Sequence, residues 1–196
     1  TIKILIMNYH KAKRIADRLI EIFTPHCDII HIAGSVRRLK PEVKDIEIVC
    51  QPKEEFIQTD LLGGGYDRRI PAFAEAINEV AAKIIKGKTD GKMMQIELKG
   101  GLMLDLFMPD KHDYYRQYAI RTGSADYSGK VIAQGWRNIG WCGSDLGLRR
   151  ISDCLESKSG WKCINVNGER PPAWTSEEDF FNWLGVEWVD PMQRVV

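Results

Sequence analysis

Three acidic residues, Asp45, Glu47 and Asp105, stand where carboxylates can do chemistry. Asp45 and Glu47 are two apart in DIEIVC (45–50), whose strict acid–apolar alternation is the period of a half-buried strand. Both acids then share one face, with Ile46 and Ile48 on the other. Asp105 sits in LMLDLFM (102–108), an otherwise apolar strand where a lone carboxylate is expensive to bury. If the two strands are neighbours, the three carboxylates converge. Clustered oxygen donors suit hard divalent cations, Mg²⁺ above all. Two such ions about 3.5–4 Å apart would activate an attacking hydroxyl and stabilise a leaving phosphate. Taken singly, the Asp-x-Glu pair is equally the wet face of an ordinary strand, and Asp105 a partly exposed strand acid.

Residues 32–38 read IAGSVRR, a strand running into Gly34-Ser35 with two arginines close behind. Glycine lets the backbone approach a ligand closely. The Ser35 hydroxyl and nearby backbone N–H groups can hold phosphate oxygens, and Arg38 can pair with a phosphate in a charge-assisted fork. A turn suited to phosphate therefore precedes the paired acids by about ten residues. By itself, Arg37-Arg38 would read as a solvated surface pair.

The elements that must position these residues follow from periodicity. Residues 9–23 place Ile15, Leu19, Ile22 and Phe23 at helical spacing, and Thr24-Pro25 ends that helix. Residues 28–33 and 45–50 read as strands, and 51–70 as a loop ending near Gly63-Gly64-Gly65. Pro71 opens a helix expected over 72–85. Residues 92–99 and 102–108 form a β-hairpin about Gly100-Gly101. Helical stretches over 114–142 are broken at Thr122-Gly123-Ser124 and at Gly135-Trp136, and short strands follow from about 143. Ser176-Glu177-Glu178-Asp179 has the form of a capping box and starts a last helix through Leu184. The pattern predicts an α+β fold with a mixed sheet and flanking helices over 1–115, and a small C-terminal α/β subdomain over 116–196.

Composition sets the outer limits. The chain has 196 residues, 44% hydrophobic and 28% charged, with a formal net charge of +1. These are values of a globular protein, not of a disordered or coiled-coil one. Residues 1–150 carry 24 Lys and Arg against 19 Asp and Glu, and residues 151–196 carry 4 against 8. A positive body suits a polyanionic ligand, although chance asymmetry on a solvated surface gives the same numbers. No apolar run approaches the roughly 18 residues of a membrane span, and the N-terminus does not read as a secretory signal. The 5 cysteines, without a C-x-x-C pair, read as reduced thiols of a cytoplasmic or nuclear protein. Lys11, Lys13, Arg14 and Arg18 lie on one side of the first helix and fit either a phosphate backbone or a solvated face. Trp136 and Trp141 fit base stacking or core packing, and Trp174, Trp183 and Trp188 fit a small C-terminal core.

Apolar-Gly-Ser, about ten residues, then Asp-apolar-acid-apolar resembles the signature of the polymerase-β-like nucleotidyltransferase superfamily. Within it, GSVRR followed by DIEIV is similar to the family X DNA polymerases. LDLFMP resembles that family's third metal-binding aspartate segment, PDKHDYYRQYAIRTGS its link into the nucleotide-binding subdomain, and SEEDFFNWLGVEWVDPMQR its C-terminal segment. The likeness runs from about residue 28 to 194 on four separated motifs in order.

The resemblance implies a nucleotidyltransferase palm and a DNA-directed DNA polymerase that adds nucleotides to a primer 3′-hydroxyl in gapped or nicked DNA. Asp45, Glu47 and Asp105 would bind two Mg²⁺ ions, with Mn²⁺ able to substitute. Gly34, Ser35 and Arg38 would hold the triphosphate. Ile120, Arg121, Thr122 and Gly123 would line the sugar and base of the incoming nucleotide. The partners implied are primer–template DNA, a dNTP and a ligase, with no membrane, for a monomer open to a viral origin. Three features depart from the family. The helix-hairpin-helix region has no counterpart before residue 28, as in a minimal form or an excised portion of a longer chain. Glu47 stands where polymerases mostly carry Asp, and the sugar-sensing turn lacks its aromatic pair. Two alternatives remain: template-independent transfer to RNA, a protein or a small molecule, and an inactive relic that binds DNA or a partner protein.

Overall fold

The computed structural model describes residues 6–195, so the stretch 1–5 read above for a signal lies outside it. The chain divides into two units, one ending at Tyr114 and the other beginning at Tyr115. Both combine helices with sheet, as an α+β class requires.

In the first unit, β1 (Met7–Asn8) leads into α1 (Tyr9–Phe23). Asn8 caps this helix, its side chain accepting from the Lys11 N–H at 2.9 Å. β2 (Cys27–Ile32) runs into a single helical turn, α2 (Gly34–Arg37). β3 (Glu42–Val43) pairs with β1, and β4 (Asp45–Pro52) follows. Next come β5 (Glu54–Gln58), β6 (Gly65–Arg69), α3 (Pro71–Val80), β7 (Ala81–Gly87), β8 (Met93–Leu98) and β9 (Met103–Phe107). The principal sheet has five strands in the order β2-β4-β9-β8-β7. It is mixed: β4 and β9 run parallel, and the other neighbours antiparallel.

One face of this sheet is apolar because the alternation in its strands makes it so. Ile46, Ile48, Cys50, Met94, Ile96, Leu104 and Leu106 pack under Ala12, Ala16, Leu19 and Phe23 of α1 and Phe73, Ala76 and Ile77 of α3. The small alanines let α1 lie close, and Phe23 meets Phe73 with ring centroids 6.1 Å apart. The opposite face carries the acids of β4 and β9 together with Val49, Met103 and Phe107.

Three sequence expectations are corrected. Residues 51–70 are not a loop, since β5 and β6 form an antiparallel hairpin with Phe56 opposite Asp67. Its tip is closed by Asp60, whose Oδ1 accepts from the N–H groups of Leu62 and Gly64. The helix over 72–85 stops at Val80, and Ala81–Gly87 is the edge strand β7. Gly135-Trp136 does not break a helix but lies inside one.

α4 (Tyr114–Thr122) starts on the last residue of the first unit and continues into the second, where α5 (Ala125–Tyr127) follows the turn at Gly123. A π-helical stretch, Ser128–Ala133, continues into α6 (Gln134–Asn138). β10 (Trp141–Ser144), β11 (Gly147–Arg150), β12 (Cys154–Ser157) and β13 (Gly160–Cys163) form a four-stranded sheet in the order β11-β10-β13-β12. α7 (Glu177–Leu184) starts at the expected cap, the Ser176 hydroxyl accepting from the Asp179 N–H at 3.1 Å. The core gathers Ile132, Trp136, Trp141, Leu148, Trp174, Phe180, Phe181 and Leu184. Across it the buried carboxylate of Glu177 takes two hydrogen bonds from Arg194, at 2.7 and 2.9 Å. Among the described residues, no helix is long and apolar enough to cross a membrane.

Candidate active site

The parallel register of β4 and β9 pairs Asp45 with Met103 and Glu47 with Asp105. Residues paired across neighbouring strands share a face. Asp45, Glu47 and Asp105 therefore lie on the side opposite Ile46, Ile48, Leu104 and Leu106, which are fully buried. Each acid is partly exposed.

The end of β2 brings the turn to these acids. The Ala33 N–H donates to the Glu47 carbonyl at 2.8 Å, and the chain then bends at Gly34 with φ +61°. A Cβ at this position would collide with the Glu47 carboxylate, so that carboxylate lies over the Gly34 backbone. The turn closes with the Arg38 N–H donating to the Gly34 carbonyl (3.1 Å) and Lys40 N–H to the Ser35 carbonyl (3.0 Å). Ser35 Oγ is buried and has no hydrogen-bond partner, an uncommon state for a hydroxyl in a folded protein.

The charges respond to one another. Burial pulls the Arg38 guanidinium below its ordinary pKa, while Glu47 and Asp45 push it back up. Asp45 is raised above the usual carboxylate range, first by burial and then by the Asp105 charge, with Lys44 and Arg38 opposing. The site thus brings together Asp45, Glu47, Asp105, Gly34, Ser35 and Arg38.

Two supports escaped the sequence reading. Gln95 on β8 is the register partner of Asp105, and its amide donates to Asp105 Oδ1 at 2.9 Å. The hairpin about Gly100-Gly101 carried that signal, because it sets Leu98 beside Leu102 and hence Gln95 beside Asp105. The second support is Tyr114. Its hydroxyl donates to the Val49 carbonyl at 3.0 Å, two residues along the strand from Glu47. The hydroxyl proton being used there, His31 Nδ1 is the donor to the same oxygen at 2.9 Å. Nothing in the local sequence marks Tyr114 or His31.

As they stand, no three His, Cys, Asp or Glu side chains among the described residues are grouped closely enough to hold a metal ion. Asp105 is engaged by Gln95, and Glu47 lies over Gly34.

Ile120, Arg121, Thr122 and Gly123 belong to the second unit, at the end of α4. Thr122 is fully buried, Ile120 packs on the second core, and its carbonyl accepts from Ser128 Oγ at 2.8 Å. A Cβ at Gly123 would press on Ser128 Oγ and the Tyr127 ring. The Ser124 N–H donates to the Arg194 carbonyl at 2.9 Å, tying this turn to the C-terminal segment. Trp136 and Trp141 are buried in the same core, which settles their packing role. On α1, Lys13 pairs with Asp17 at 2.6 Å and Arg18 with Glu21 at 2.8 Å, so half of the basic helix face is internally neutralised.

No family model matches the chain, and a search of the curated proteins finds no match.

Proposed function

We propose that this chain is a divalent-metal-dependent DNA polymerase of the family X type, adding nucleotides to a primer 3′-hydroxyl in gapped or nicked DNA. One observation carries the reading: Glu47 and Asp105 pair in parallel register on the face that also bears Asp45, against the Gly34-Ser35 turn. That is the arrangement the family resemblance requires of these residues.

The donor set suits the ions the reading needs. All three groups are oxygen ligands, and the mutual effect of Asp105 on Asp45 is a repulsion that a cation relieves. Asp45, Glu47 and Asp105 would hold two Mg²⁺, or Mn²⁺ in their place. Bound there, the ions supply charge neutralisation and an activated attacking hydroxyl. The remaining work falls to the chain. Gly34 lets a triphosphate approach the backbone, Ser35 Oγ offers an unused donor to a phosphate oxygen, and Arg38 compensates its negative charge. Gln95 orients Asp105. Nucleotidyl transfer depends on such positioning and electrostatics more than on covalent help. The reading carries with it a dNTP and primer–template DNA as substrates, a ligase as downstream partner, action as a monomer, and a cytoplasmic or nuclear setting, virus-encoded or not.

A primer-extension assay tests it. Single-stranded, nicked, gapped and template-free substrates are compared with dNTPs or NTPs, and with Mg²⁺ or Mn²⁺. Extension on gapped DNA is the expected result. Incorporation only without template moves the reading to an untemplated transferase, and DNA binding with no incorporation anywhere replaces it with a non-catalytic DNA-binding role.

A further inference from the structure

The second unit holds an arginine that its own surroundings do not neutralise. Arg149, on β11, is 7% exposed. Its Nη1 donates to the Leu148 carbonyl at 2.8 Å, and its Nε is buried with no partner. No carboxylate among the described residues forms an ion pair with it. A buried guanidinium keeps its charge at any physiological pH. Buried charges are otherwise found paired, because leaving one uncompensated is strongly destabilising. Its position therefore calls for an anion.

The strand register shows what shares its face. Trp141 and Leu148 turn into the core, so Arg149 and its register partner Cys142 lie on the other side of the sheet. Ser144 of β10 pairs with Trp161 of β13, which puts Trp161 on that same side. The Trp161 indole Nε1 is also buried and has no partner. Two orphan donors, one charged, thus occupy one face of one sheet. Cys154 and Cys163, a register pair, share this face. Their neighbour Cys142 has its thiol pushed up to about 12, first by burial and then by its hydrogen bond with Cys154. The Cys142 thiol is neutral at pH 7 and supplies no counter-charge. Arg137, exposed at the end of α6, is near enough for its charge to act on Cys142, and it adds a second positive group. Two acids lie near: Glu156, the register partner of Trp161, is exposed on this face, and Asp145 accepts from the Cys163 N–H at 3.0 Å; neither forms an ion pair with Arg149.

The geometry points to an oxyanion site on this face of the β10–β13 sheet, with Arg149 as its principal ligand and Trp161 Nε1 and Arg137 in support, taking a phosphate group. The planar fork of a guanidinium matches two phosphate oxygens, and an indole N–H adds a third, neutral donor. The site shares no residue with the acidic face of the first unit. It can therefore stand whether or not that face proves catalytic.

The test uses the full chain and its Arg149→Met and Arg149→Lys variants. Inorganic phosphate is titrated against sodium chloride at matched ionic strength, with thermal unfolding as the readout. The wild-type midpoint is expected to rise by about 2–4 °C once phosphate exceeds its dissociation constant several-fold. Arg149→Met should lose that rise, and Arg149→Lys should keep only part of it, having the charge without the fork. In a second arm, fluorescence anisotropy measures binding of a labelled duplex oligonucleotide. If the phosphate belongs to a nucleic-acid backbone, Arg149→Met lowers affinity about tenfold and reduces the salt slope by about 1. If only inorganic phosphate or a dNTP responds, the source is a free phosphate or nucleotide. The proposal is overturned if phosphate stabilises the wild type no more than chloride does and the variants bind DNA with unchanged affinity and salt slope. Should Arg149→Met not fold, the wild-type comparison and Arg149→Lys decide in the same two directions.

Discussion

The carboxylate of Glu47 occupies the space that a Cβ on Gly34 would need, and the backbone at Gly34 has the positive φ that only glycine adopts freely. Replacing Gly34 by Ala therefore imposes two penalties at once. Backbone strain of roughly 1–2 kcal/mol should lower the urea midpoint modestly. Displacement of Glu47 should lower primer extension far more than that strain alone accounts for. A Gly34→Ala enzyme that is destabilised yet fully active would show that the Glu47 position is not critical.

Asp105 and Gln95 should separate into a metal-binding and a positioning role. Under the proposed function Asp105→Ala would remove a metal ligand, and it should abolish extension while the circular dichroism spectrum is unchanged. Gln95→Leu leaves the carboxylate in place but unheld, and partners of this kind are worth about 10–100-fold in affinity or activity. The expected signature is a higher Mg²⁺ requirement, measured as the ion concentration for half-maximal rate. Turnover by Asp105→Ala would remove the metal assignment altogether.

Glu177 and Arg194 form a buried bidentate pair, with Arg194 also donating to the Val189 carbonyl at 2.9 Å and lying over the Phe181 and Trp188 rings. Removing either partner leaves a buried charge, at a cost of about 3–5 kcal/mol. Arg194→Met and Glu177→Gln should each lower the unfolding free energy by that order in urea. The double variant should be less destabilised than the sum. Additive effects would mean that the two side chains act independently.

Two exposed carboxylates should titrate low. Asp179 is held below its ordinary value by hydrogen bonds from the Thr175 side chain and backbone, and Glu169 by the Arg150 guanidinium at 2.7 and 3.0 Å. A carboxyl with a depressed folded-state pKa contributes stability above its unfolded pKa, and loses it as pH falls through the folded value. Side-chain carboxyl NMR should place both midpoints below the usual Asp and Glu values. Thr175→Val should return Asp179 toward them, and an unmoved midpoint would remove Thr175 as the cause.

The thiols should differ in reactivity. Cys27, Cys50, Cys142 and Cys154 are buried and free, while Cys163 is partly exposed. With its pKa near 12, Cys142 presents almost no thiolate at pH 8. Alkylation of the native protein followed by peptide mass mapping should label Cys163 first, and Cys50 and Cys142 last, the Cys50 thiol being raised by its hydrogen bond with Cys27 and by burial, and that of Cys142 by burial. Rapid labelling of Cys142 would contradict its packing.

Much of this arrangement was legible in the chain. The helix over 9–23, the two acid-bearing strands and the hairpin about Gly100-Gly101 all show in hydrophobic period, because each buries one face only. β5 and β6 did not, since neither of their faces is buried: Phe56 is 58% exposed and Tyr66 54%, so no apolar alternation marks them. β7 reads as helix from its alanines, and pairing with β8 overrides that propensity. Gly135 looked like a breaker. It is instead a close approach, where a Cβ would meet Val186 and Leu184 at 3.3 and 3.5 Å. The acid triad could be proposed from sequence, but its parallel register could not. The orphan state of Ser35 and Arg149 depends on what fails to surround them, and no local pattern encodes that.

The pairing of β4 with β9 also acts as a check on folding. A slip of one residue between these strands would send Asp105 inward among Ile46, Ile48 and the helices, and turn Leu104 or Leu106 out to water. Such a misaligned chain would bury a bare negative charge, so it is rejected on energetic grounds before any substrate arrives. The residues assigned here to chemistry thus also enforce the alignment that assembles them.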